Sequence, residues 1–197
     1  MNVKVTIMIL SVTLIPLVSF SCAHHSLKSK YAGEEKREIK RLSNADIEEL
    51  QKGGGWGLAK AAELNGMPGP AHLLEMKNEI NLNVEQVQVL EELYKEMQQA
   101  AIPLGLELIG FERQLNQMFA EKSITFEILE ELLEKIARVT KDLRYVHLST
   151  HLKTPNILTP MQITLYNQLR GYASNDPCGN IPKGHDPVKW KKHHDCP

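Results

Sequence analysis

The chain has 197 residues, with 23 Lys and Arg against 24 Asp and Glu and a formal charge of −1. That near balance gives no support for a nucleic-acid partner, which needs a concentrated basic surface. Aromatic residues make up only 6% and runs of β-branched residues are scarce, so helices are favoured over a β-sandwich.

Lys4 precedes an apolar run from Val5 to Val18 and the string Ser19-Phe20-Ser21-Cys22-Ala23. This is the order of a secretory signal, and the run is too short to span a membrane. The mature chain is therefore expected in a bacterial periplasm, with residues 1–23 as signal peptide. Ordinary cleavage after Ala23 and a lipoprotein junction with acylated Cys22 both remain open. A lipid on Cys22 would tether the protein to a periplasmic membrane face.

Residues 24–42 are polar, with the run Glu34-Glu35-Lys36-Arg37-Glu38, and read as an extended or loosely ordered arm. The domain proper is expected over 43–172. Ser43-Asn44-Ala45-Asp46 opens a short helix through Gln51, stopped by Gly53-Gly54-Gly55. Trp56 to Leu64 reads as a second helix with a left-handed C-cap at Asn65-Gly66. The triplet Gly53–Gly55 reads as a flexible hinge, and Trp56 as the anchor of the second helix. Pro68-Gly69-Pro70 makes a turn, and Ala71 to Ile80 reads as a third helix.

Leu82-Asn83-Val84-Glu85-Gln86 then starts a long helix. Asn83 is a good N-cap, and Gln86 is placed to reach back to the Asn83 amide, completing a capping box. Leu90, Tyr94, Met97, Ala101, Leu104, Leu108, Phe111, Leu115 and Met118 form one apolar stripe at spacings of three and four. Pro103 and Gly105 interrupt it, predicting a kink rather than two helices. After a turn at 122–125, Leu129, Leu132, Ile136, Val139, Leu143 and Val146 mark the return helix. Leu158-Thr159-Pro160-Met161-Gln162 repeats the box and launches a final helix to about Arg170. Residues 173–197 show no periodicity and read as an irregular tail. The fold class is thus all-α: a long antiparallel helical hairpin with short flanking helices. Such a hairpin has little core of its own, and pairing with a second copy is a natural way to cover the remainder.

The paired Leu-[Asn/Thr]-x-x-Gln boxes around a helical hairpin, behind an export signal, resemble the Spy/CpxP-like periplasmic family. That family is also called the LTxxQ or periplasmic heavy-metal-sensor family. The segments 66–75 and 144–152 look like a subgroup described as refolding chaperones. The likeness spans about residues 43 to 172, with Asn83 standing where the family usually has Thr. It implies a cradle-shaped antiparallel homodimer acting as an ATP-independent holdase for unfolded or envelope proteins, or as a sensor of metal and envelope stress.

Candidate chemistry is sparse. His147 and His151 project from one helix face, as do His72 and Glu75. Were the third helix to pack on the end of the return helix, these four would meet as ligands suited to Zn, Ni or Cu. The alternative is partly buried, hydrogen-bonded histidines beside the Leu143/Val146 stripe. Neither reading makes a cofactor obligatory. Cys178 and Cys196 are expected to form a disulfide in an oxidising compartment; metal capture by the reduced tail with His185, His193 and His194 is the other option. Lys189-Trp190-Lys191-Lys192 is a basic patch able to touch an anionic surface, or a solvated tail. Met67, Leu73, Met76, Leu106, Ile109 and Met118 are adaptable residues for a client surface, equally credible as core. No enzyme constellation is present. Glu127, Glu130, Glu131 and Glu134 read with Lys135 and Lys141 as a solvated face, and Gly53–Gly57 lacks the strand and Lys of a phosphate loop.

Overall fold

The computed structural model describes residues 27–172, 186–193 and 196. The signal segment, Cys22, Cys178 and most of the tail lie outside the described residues. The chain divides into two compact units, Met1–Gly33 and Glu34–Pro197. The described part of the first is a turn in which the Ala32 amide donates to the Ser29 carbonyl at 3.1 Å.

In the second unit the described residues contain seven α-helices and no strand. The helices are α1 Asn44–Gln51, α2 Lys60–Glu63, α3 Pro70–Glu75, α4 Val84–Ala120, α5 Phe126–Lys153, α6 Pro160–Leu169 and α7 Pro187–His193. Helices α4 and α5 are the hairpin, and α4 runs unbroken through Pro103 for 37 residues, about 55 Å. None of the described helices is long and apolar enough to cross a membrane.

Two apolar clusters hold the unit together. The first joins Ala101, Leu108 and Ile109 of α4 with Val139 and Leu143 of α5, Leu50 of α1, and Ile39 and Leu42. The second joins Leu73, Ile80, Leu90, Leu158 and Tyr166, with Leu82 and Ile163 packed against them. The box leucines therefore work at the position before each cap, where an apolar side chain pins the entering chain. Leu73 and Ile109, considered above as client-binding residues, are 0% and 3% exposed and belong to this core.

Part of the segment read as an arm is packed. Ile39 and Leu42 are fully buried, and the intervening backbone is tied to α4. Glu38 pairs with Arg113 at 2.8 Å, Asn116 donates to the Glu38 carbonyl at 3.1 Å, and Arg41 lies 3.2 Å from the buried Glu112.

Three elements differ from expectation. Helix α2 covers only Lys60–Glu63, because Trp56 and Gly57 take left-handed φ values of 41° and 67°. Trp56 is drawn to α1: its amide donates to Glu49 at 2.6 Å and its indole to Asp46 at 2.9 Å. Helix α3 stops at Glu75 rather than Ile80. The chain turns there through Asn81 at φ 52°, and the Leu82 amide donates back to the Lys77 carbonyl at 2.9 Å. That turn delivers Leu82 to the core and Asn83 to its cap. The tail, expected to be irregular throughout, contains α7. Asp186 caps it, accepting from the Val188 and Lys189 amides at 2.9 and 3.2 Å, with Pro187 at the tolerated first helical position.

Candidate functional site

Both capping boxes form. The Asn83 side chain accepts from the Gln86 amide at 2.7 Å, and Gln86 Oε1 accepts from the Asn83 amide at 3.0 Å. Thr159 and Gln162 do the same at 3.2 and 2.9 Å. Beyond this, the two boxes interlock. Gln86 Nε2 donates to Gln162 Oε1, and Gln162 Nε2 donates to Gln86 Oε1, both at 2.9 Å. Each amide also donates to a carbonyl two residues ahead of the other cap: Gln86 to Ile157 at 2.8 Å, Gln162 to Asn81 at 3.1 Å. Every donor and acceptor of the two glutamine amides is engaged. Two motifs that look independent along the chain form one clasp between the starts of α4 and α6.

Beside the clasped end lies a pocket of about 410 Å³, walled by the Gly53–Gly57 loop and by residues of α2, α3, α4 and α5, with Arg170 and Tyr172. His72, His147 and His151 all line it; Glu75 does not. His72 is turned to carboxylates, its Nδ1 2.9 Å from Glu75 and its Nε2 3.7 Å from Glu63. The His151 Nδ1 is 2.8 Å from the Met67 carbonyl; because a carbonyl only accepts, Nδ1 carries the proton. The other side of that ring lies against Gly69, where a Cβ would come within 2.6 Å of Nε2. His147 is 2% exposed and shares a hydrogen bond with the Gly54 backbone, leaving its buried Nε2 without a partner.

The structure therefore joins His72 to Glu75 and sets His147 near His151, but does not gather the four into one ligand set. Among the described residues, no group of three or more His, Cys, Asp or Glu side chains is arranged to hold a metal ion. The residues best placed to offer a metal nitrogen are His147 and His151, each with one ring nitrogen not held by the backbone.

Burial pushes the His147 imidazole below the usual histidine value, and the neighbouring His151 pushes it the same way, against the Gly54 hydrogen bond. Folding thus favours neutral His147. Its contribution is fully present above the unfolded value of about 6.5 and is lost as pH falls below it, because the unfolded chain then binds the extra proton. Wild-type stability is expected to decline from about pH 6.5 downward, and His147→Gln to flatten that decline. Urea midpoints measured between about pH 5 and 7.5 check this; an unchanged slope in the variant contradicts it.

Part of the pocket's lining is a hub on Glu63. Its Oε1 accepts from Tyr166 at 3.2 Å, Tyr172 at 2.9 Å and Arg170 at 2.8 Å. Burial acts to raise the Glu63 carboxyl, but the Tyr172 hydrogen bond, the His72 charge and Arg170 outweigh it and hold it below the usual range. Burial, with Glu63 alongside, pushes the Tyr166 phenol well up. Sequence reasoning missed this hub, whose members lie more than a hundred residues apart. The only signal was an acidic residue on a short helix with two tyrosines and an arginine in and just after the helix launched by the second box.

Cys196 is disulfide-bonded, and its partner lies outside the described residues. Comparison with protein-family models, with curated proteins and with solved structures gives no match.

Proposed function

We propose that this protein is an exported, ATP-independent chaperone-like protein of the Spy/CpxP-like kind, binding unfolded polypeptides in the bacterial envelope and working as a homodimer. The reading assigns it no reaction. The observation that carries it is the apolar surface left in solvent along the hairpin. On α5 alone Phe126, Leu133, Tyr145 and Leu152 are at least 48% exposed. Large side chains held outward by a well-packed scaffold suit weak, adaptable contact with apolar segments of many clients.

A second reading, binding of Zn, Ni or Cu, is favoured by the unpartnered Nε2 of His147 beside His151. One experiment separates the two. A permanently unfolded, reduced and alkylated client is titrated with the mature protein and followed by fluorescence anisotropy, without nucleotide, once with chelator and once with added Zn, Ni or Cu. Saturable binding insensitive to chelator supports the chaperone reading. Binding that needs added metal moves the account to the second reading, and no binding in either condition removes the first.

A further inference from the structure

The outward flank of α5 near the hairpin turn carries an apolar stripe with an acidic edge. Phe126, Leu129, Leu133 and Ala137 recur at spacings of three and four, so they share one side of the helix. With Glu130 and Glu134 they line an open groove of about 430 Å³. Phe126 is 88% and Leu133 48% exposed. Helix α4 does not cover this stripe, because α5 gives the hairpin core a different face, through Leu132, Val139 and Leu143. Glu131 is held by Lys135, whereas Glu130 and Glu134 carry no ion pair among the described residues.

We propose that this stripe is a docking surface for cationic amphipathic segments of unfolded polypeptides, whose apolar residues cover Phe126 and Leu133 while Lys or Arg meets Glu130 and Glu134. The proposal rests on the polypeptide-binding reading above and narrows it to a client chemistry. Charge selects the occupant. Laying a second copy of the stripe face to face would set rows of carboxylates against each other, and like charges disfavour such a pairing. A helix with Leu at matching spacing and flanking Lys satisfies both the apolar spacing and the charge.

The test uses two labelled synthetic peptides, an amphipathic Leu/Lys helix and its twin with Glu in place of Lys. Mature protein is titrated with each by anisotropy, at low and high salt. The Lys peptide is expected to bind about tenfold or more tighter than the Glu twin, with the difference shrinking as salt screens it. Phe126→Ser/Leu133→Ser should weaken the Lys peptide by about tenfold or more, and Glu130→Lys/Glu134→Lys should reverse the preference. These positions are solvent-exposed, so thermal unfolding of each variant should match wild type and serves as the folding check. Equal binding of the two peptides overturns the inference. So does unchanged binding by the stripe variant, or a stripe variant that turns a dimer into a monomer while still binding the peptide. The unfolded client described above separates the two claims. Protein that binds neither client nor peptide sinks the polypeptide-binding reading; protein that binds the client but both peptides alike sinks only this inference.

Discussion

Gly105→Ala is expected to destabilise the protein by about 1–3 kcal/mol, against the usual direction for that substitution. Replacing a glycine inside a helix by alanine normally stabilises by roughly 0.5–1 kcal/mol, because glycine loses more backbone freedom on folding. Gly105 is fully inside α4 and buried. Its missing Cβ is what lets α1 approach: a methyl there would come within 2.4 Å of the Leu50 carbonyl oxygen and 3.0 Å of its carbon. The obstacle is backbone, so no side chain can rotate aside. Helix α1 would have to back away from α4, loosening Leu50 from the cluster it shares with Ala101 and Leu108. A lower urea midpoint with an unchanged denaturant slope is the expected result. A raised midpoint would mean that Gly105 only loosens the helix, as its place next to Pro103 suggests from sequence.

Breaking the clasp is the second large effect. The Gln86 side chain makes four hydrogen bonds, to the Asn83 amide, the Ile157 carbonyl and both functional atoms of Gln162. At a net 0.5–1.5 kcal/mol for each, partly recovered by water at a half-buried position, Gln86→Ala should cost about 2–3 kcal/mol. Gln162→Ala should cost a similar amount. The decisive quantity is their sum. Independent caps would give additive losses, whereas interlocked amides give a double variant milder than the sum, by about 1 kcal/mol or more. Hydrogen exchange adds a local signature: Gln86→Ala should speed exchange in the first turn of α6 as well as α4. Additivity with no effect on α6 would refute the clasp.

What could be read from the sequence was local. The caps at Asn83 and Thr159 depend on residues within one turn of each other, and the two hairpin helices on a stripe repeated over many turns. Both were legible, as was the shared face of His147 and His151. Most of the misses depend on contacts with other segments rather than on spacing within one helix. Trp56 was read as the anchor of α2 because α2 follows it, but Asp46 and Glu49 of α1 hold it in a left-handed conformation. The polar run before Ile39 hid two core residues, since a burial that depends on Arg113 and Asn116 leaves no periodic trace at Ile39 and Leu42. The partners of His147 and His151 come from the loops around Gly54 and Met67, which no helical spacing reveals. One miss was local after all: Asp186-Pro187 is a cap followed by a first-position proline, overlooked in a segment without periodicity.

The candidate site divides along the same line. The clasp and the Glu63 hub order the end of the hairpin, and the exposed flank of α5 is the part free to meet something else. The most direct test of that account is light scattering from a chemically unfolded client diluted into buffer with equimolar mature protein. The account predicts suppressed aggregation, unaffected by the presence or absence of ATP. Scattering that rises as fast with the protein as without it would contradict the account.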